Sequence, residues 1–210
     1  MAVSETIILT APVDIKRRVT EMQLDVTKCL RVRDTAAAAA ADATPFHAAN
    51  AAGTFSYHYG TFALRLEFVG KSWRQARPNG VEVIENEELR IRVVFANVDV
   101  ACNLNHRPKA RSERGAGAER LAQGNLFDAL PTYGDSDATD KDGWIVYFLM
   151  VDEKGAVELT RAGISGGTFT KPVERIFLSD GTDLATEPDV KPNDQSTVEF
   201  DPQVTRKKTA

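Results

Sequence analysis

The longest unbroken apolar run in the chain, Trp-Ile-Val-Tyr-Phe-Leu-Met-Val at residues 144–151, is bracketed by Asp142-Gly143 and Asp152-Glu153-Lys154-Gly155. Eight apolar residues between turn signals are too few for a helix that must also show a polar face. A strand covered on both sides reads this way, because neither set of alternating side chains meets water. The Asp-Glu-Lys-Gly turn then returns the chain into residues 156–160, so the segment predicts a central strand and its hairpin partner. A chain built around such a strand must form a sheet.

Further strand signals surround it. Residues 81–84 are rich in β-branched side chains, and Leu89, Ile91, Val93 and Phe95 alternate with Arg90 and Arg92, the pattern of a sheet with one wet face. Residues 173–178 predict another strand after the Gly166-Gly167 bend, and Ile7–Leu9 an opening one. The N-terminal third is helical. Thr10 is placed to cap a helix with Pro12 in its first turn, and Ile15, Val19, Met22, Val26 and Cys29 recur at steps of four and three, forming one core-facing stripe. The alanine tract at residues 36–41 either extends this helix or serves as a connector, and Pro45 ends it. A second stripe, Phe55, Tyr59, Phe62, Leu66, Val69 and Trp73, predicts a helix over 54–69 with these residues in the core. Its rival, a strand using Phe62, Leu64, Leu66 and Phe68, has fewer matches. Helices first and mostly antiparallel strands later make an α+β fold. One domain over 1–179 is expected, followed by a tail over 180–210. The stretch 180–201 holds seven acidic residues against one lysine, with Pro188 and Pro192, and is expected to be disordered or loosely attached.

A chain of 210 residues, 42% hydrophobic, can bury a core of ordinary size. Its net charge of -4 excludes a protein that coats nucleic acid through bulk charge, so any such contact must be local. Cys29 and Cys102 read as two reduced thiols. The first residues lack a signal-peptide pattern, and no run approaches the roughly 20 apolar residues of a membrane span. A cytoplasmic protein with no membrane contact is the expectation, and the pattern leaves the oligomeric state open.

The candidate site is the segment that follows the strand beginning at Leu89. Residues 107–120 carry Arg107, Lys109, Arg111, Arg114 and Arg120 against Glu113 and Glu119, a local excess of three positive charges. Gly115 and Gly117 permit close backbone approach, and arginines offer paired donors to phosphate or carboxylate. Asn103, Asn105 and His106 would shape the mouth. These ten residues predict a non-enzymatic binding module for a phosphate-bearing ligand or nucleic acid, with no cofactor or metal. No complete signature supports it, since Arg120 stands where a dinucleotide fingerprint needs a small residue and no Gly-Lys-Ser/Thr follows. The ordinary reading of such a charge run is a solvated loop lying against the five aspartates of 128–142.

Two other functions fit. One is an assembly or adaptor protein that docks an acidic protein partner. The other is an enzyme whose site joins the helix face of His58, Thr61 and Arg65 to residues 99–106. Within that segment Asp99, Cys102 and His106 supply a carboxylate, a thiol and a base, but catalytic groups are rarely four residues apart in one loop. A second small basic patch, Lys71, Arg74 and Arg77, surrounds Trp73, which the apolar stripe already assigns to packing.

Overall fold

The computed structural model describes residues 5–112, 114–122 and 143–184. The chain runs β1 (Ile7–Leu9), α1 (Pro12–Glu21), α2 (Val26–Ala41), α3 (Ala51–Phe68), β2 (Arg74–Ala76), β3 (Val83–Asn86) and β4 (Ile91–Asn97). It continues through α4 (Ala116–Leu121), β5 (Ile145–Val151), β6 (Val157–Arg161), β7 (Ile164–Ser165), β8 (Thr168–Phe169) and β9 (Glu174–Ser179). The acidic segment 128–142 and the tail beyond residue 184 lie outside the described residues.

The fold is α+β. One seven-stranded sheet has the order β1-β9-β6-β5-β4-β3-β2, and β7 pairs with β8 in a separate hairpin. Pairing in the large sheet is antiparallel except where β1 meets β9 and β4 meets β5. The apolar run is the expected central strand, β5, joined to β6 by a turn in which Gly155 has φ +82°. Asp152 staples that turn: Oδ1 accepts from the amides of Lys154 and Ala156, and Oδ2 accepts from the amide of Ala101.

Both faces of the sheet are covered. Ile84, Val93, Phe95, Tyr147, Leu149, Leu159 and Ile176 face α1, α2 and α3. On the opposite face, Val94, Ala96, Val146, Phe148 and Met150 lie under α4 and the β7–β8 hairpin, whose Phe169 meets Phe148 edge to face with ring centres 4.9 Å apart. This second layer overturns the expected wet face of β4. Arg92 is buried, pairs with Glu85 at 3.0 Å and lies over the Trp144 ring at 4.2 Å.

Three helix expectations also change. The first stripe is divided between two helices, because Gln23 adopts a left-handed conformation (φ 53°) and Asp25 caps α2 through the Lys28 amide. Both helices can then lay their apolar sides on the sheet. No side chain caps α1, whose N-cap is Ala11 rather than Thr10, and the alanine tract extends α2. In α3 the predicted core stripe faces outward: Tyr59, Phe62, Leu66 and Val69 are exposed, while Ser56, Gly60, Ala63, Leu64 and Phe68 face inward. The cause is on the sheet. The Phe95 ring occupies the space a side chain at position 60 would need, so the helix must turn its glycine side to β4. Trp73 is core as expected, but it lies beyond the helix end and donates to the Gln23 carbonyl at 2.9 Å.

The residues just past β9 are tied to the body. Arg33 of α2, almost completely buried, binds both oxygens of Asp183 at 2.8 and 2.7 Å and also donates to the Gly155 carbonyl. The Arg33 hydrogen bonds hold the Asp183 carboxyl well below its ordinary value of 3.8, at about 2. A carboxyl depressed in the folded state stabilises the fold above its ordinary value, and that contribution disappears as pH falls through the depressed value. Thermal melts taken from pH 4 down to pH 2 should therefore show a steeper loss for the wild type than for Asp183→Asn. Parallel losses would refute the assignment.

Candidate functional site

Residues leaving β4 form two structures with different roles. The first, 99–106, is clamped from below. Glu158 and Arg175, 0% and 4% exposed, form a buried pair at 2.6 Å. Glu158 also accepts from the Cys102 amide at 2.7 Å, and Arg175 donates to the Asn103 and His106 carbonyls at 2.8 and 3.0 Å. Asn103 and Asn105 are exposed above this clamp. Asp99 accepts from the amides of Val100 and Lys109 and contacts His106 Nε2 at 2.9 Å. Burial opposes ionisation of Asp99, yet those amides and the ring hold its carboxyl below the usual range. Cys102 makes no pair with His106. Its thiol donates to the Val157 and Ser179 carbonyls and is pushed up to about 12 by burial and the nearby Glu158, so it carries almost no nucleophilic thiolate at neutral pH.

The second structure, the basic segment, divides its charges. Arg107, Lys109 and Arg120 are exposed. Arg111 reaches Glu153 at 2.5 Å. Gly115 caps the short α4 in the open, whereas Gly117 is a packing residue: a Cβ there would stand 2.2 Å from the Asn79 carbonyl oxygen. Of the predicted cations, Arg111 and Arg114 line a cavity.

That cavity, of about 360 Å³, lies between the start of α3, the end of β4 and Arg111, Ser112 and Arg114, with Asn50, Gly53, Tyr57 and Asn97 in its walls. Asn97 organises it. Its side chain accepts from Ser56 Oγ and donates to the Gly53 carbonyl, each at 2.9 Å, while its own carbonyl accepts from the Arg111 amide. The α3 N-terminus is thus fixed at the exit of β4. The amides of Ala51 and Thr54 donate to Ala48 and Asn50, and Asn50 provides no side-chain cap. The Ala52 and Gly53 amides meet no backbone acceptor among the described residues, as expected of an uncapped first turn.

Arg114 is unusual among the arginines shielded from water. Arg33, Arg92 and Arg175 each hold a carboxylate. The Arg114 guanidinium lies over the Phe169 ring at 5.5 Å, and its fully buried Nε has no hydrogen-bond partner. No ion pair reaches it among the described residues. Burial drives its pKa below the ordinary arginine value, with the nearby Tyr57 opposing. A cation desolvated without a counter-ion is energetically costly unless an anion joins it.

The helix face around His58 also lines a cavity, a trough of about 680 Å³ bounded by Thr61, Phe62, Arg65, Arg77 and Glu82. None of residues 99–106 contributes to this trough. The two arginines of the Trp73 patch are paired: Arg74 with Glu85 and Glu87, and Arg77 with Glu82. Among the described residues, no group of three or more His, Cys, Asp or Glu has metal-binding geometry.

The arginine-lined cavity was only partly legible in the sequence. Its cations were visible, and Asn97 carried a signal as the polar residue closing an apolar strand. The contribution of α3, some 60 residues earlier than Arg114, had none. Compared with known proteins, the chain matches no family model, no curated protein and no solved structure.

Proposed function

We propose that the chain is a binding module for a small phosphate-bearing ligand, held in the cavity between the α3 N-terminus and Arg114. The observation that carries this reading is the unpaired, desolvated Arg114 guanidinium beside an uncapped helix start. An anion placed there would meet a fork of arginine donors and free backbone amides, the combination that suits phosphate oxygens. Arg111 can join it, because its pair with the exposed Glu153 is of the weak surface kind. The cavity volume suits a compact ligand rather than an extended strand. In this reading Arg107, Lys109 and Arg120 provide long-range attraction, and Asn103, Asn105 and His106 belong to the clamped loop beside the site.

Calorimetric titration with inorganic phosphate and with a nucleoside monophosphate tests it. Saturable binding is expected, accompanied by a rise in Tm. Arg114→Gln is expected to weaken binding by about 10- to 100-fold, the loss of charge-assisted hydrogen bonds. Arg107→Ala and Lys109→Ala are expected to change affinity by less than about 3-fold, since their charges act through solvent. Unchanged affinity in Arg114→Gln, with the fold confirmed by melting, would reject the site. If an oligonucleotide bound instead with a salt slope reporting several phosphates, and with equal losses at Arg107 and Lys109, an extended nucleic-acid contact would replace the small-ligand reading.

A further inference from the structure

The outward stripe of α3 leaves four large apolar groups open to solvent, while Phe55 at its start is half-buried and meets the His47 ring edge to face at 5.3 Å. Tyr59 is 52% exposed, Phe62 56%, Leu66 69% and Val69 44%, with Phe55 completing the row. Their 4-3-4-3 spacing is the 3.5-residue repeat of a helix–helix seam, which keeps one row of knobs facing a second helix. Beside the row runs the trough, where Phe62, Leu66 and Val69 form one wall and Gln75, Arg77 and Glu82 the other. We propose that this face is the interface of a homodimer in which two α3 helices cross antiparallel about a two-fold axis at Phe62.

The pattern is complementary to itself in that orientation. Phe55 and Val69 lie seven residues either side of Phe62, and Tyr59 and Leu66 lie three and four. An antiparallel copy therefore sets the two rings of one N-terminal half against the two smaller aliphatic groups of the other's C-terminal half. Large meets small along the seam, as close packing requires. A parallel copy would stack ring on ring and leave the aliphatic end thin. The antiparallel copy also carries its Tyr59 toward position 65. There the phenolic oxygen meets a wall of two guanidiniums, Arg65 and Arg77, that share the single carboxylate of Glu82.

The area agrees. The exposed parts of these side chains amount to roughly 400 Å² of apolar surface. A stable contact buries about 800 Å² per copy, a little over half of it apolar. The stripe supplies the apolar share, and the trough walls with His58 supply the polar remainder. Two heptads alone make too short a coiled coil, so the trough is what completes the contact.

Sedimentation equilibrium from micromolar to millimolar loading tests the proposal. The wild type is expected to be a dimer dissociating in the micromolar range. Phe62→Glu, which places two carboxylates on the axis, is expected to weaken self-association at least about 100-fold. Phe46→Glu, at a fully exposed phenylalanine outside the seam, is expected to change nothing. If Phe62→Glu does not fold, Phe62→Cys gives an independent result. On oxidation it is expected to cross-link across the axis, while the wild type, whose Cys29 is buried and whose Cys102 thiol is held by two carbonyls, is not. A wild type monomeric at every concentration, or a Phe62→Cys protein that fails to cross-link, overturns the proposal and leaves the stripe to an unlike partner.

Discussion

Glu158→Gln is expected to cost about 3–5 kcal/mol of folding stability, the usual consequence of removing one member of a buried ion pair. The side chains have nearly the same volume, so the loss does not come from a cavity. It comes from Arg175, left charged at 4% exposure with no carboxylate. The carboxylate has further partners: Oε1 accepts from the Thr160 hydroxyl and Arg175 Nε, and Oε2 from the Cys102 amide and Arg175 Nη2. An amide group can satisfy some of these donors but not the charge. A domain of this size has about 5–15 kcal/mol in total, so the variant is expected to stand near the edge of folding. The double variant Glu158→Gln with Arg175→Met is expected to recover part of the loss by removing the unpaired charge, though the Asn103 and His106 carbonyls then lose their donor. Urea denaturation of all three proteins measures it. A Glu158→Gln protein within 1 kcal/mol of wild type would show that the pair does not hold the 99–106 segment in place.

The second large effect has a sign opposite to helix propensity. In a solvent-facing helix interior, Gly→Ala stabilises by roughly 1 kcal/mol. At position 60 it is expected to destabilise by about 2–3 kcal/mol, because the new methyl group would stand 2.3 Å from Phe95 Cζ and 2.5 Å from both adjoining ring carbons. Phe95 is 1% exposed in the middle of β4 and cannot withdraw without opening the core. Gly53, in the same helix, is the control. Nothing lies within 4 Å of the Cβ position there, so Gly53→Ala is expected to be neutral or stabilising by up to about 1 kcal/mol. Combining Gly60→Ala with Phe95→Leu is expected to cost less than the sum of the two single changes, a coupling a double-mutant cycle would read directly. Additive costs would mean that the ring and the glycine do not fit together as described.

The same residues show what the sequence disclosed. The run at 144–151 was legible because a strand buried on both faces leaves no polar alternation, and the Asp-Glu-Lys-Gly turn marked its hairpin. Arg92 misled about β4 because arginine usually means water, as it does for the exposed Arg90 just before the strand. Here Arg92 finds Glu85 and the Trp144 ring, partners on β3 and just before β5 that no local pattern announces. The candidate cavity was half visible in the same way. Arg111 and Arg114 stood out as cations, but neither their separation from Arg107, Lys109 and Arg120 nor the uncapped helix start beside Arg114 could be read before the chain was folded. The local sequence suggests ligand approach at Gly117, yet its missing side chain makes room for the Asn79 carbonyl.

By itself, then, the sequence determined the α+β class and the type of the longer elements, because these follow from periodicity and turn chemistry within short windows; the short β2, α4, β7 and β8 carried no such pattern. It determined that α3 is a helix with a row of large apolar groups. Which side of that helix enters the core was decided only by tertiary structure. The Phe95 ring rises from β4 at the height of Gly60, and a sheet surface bearing such a ring accepts the helix side with a hole in it. Hydrophobicity alone favoured the row of Tyr59, Phe62 and Leu66; shape fit placed that row outside, where the homodimer proposal finds its use for it.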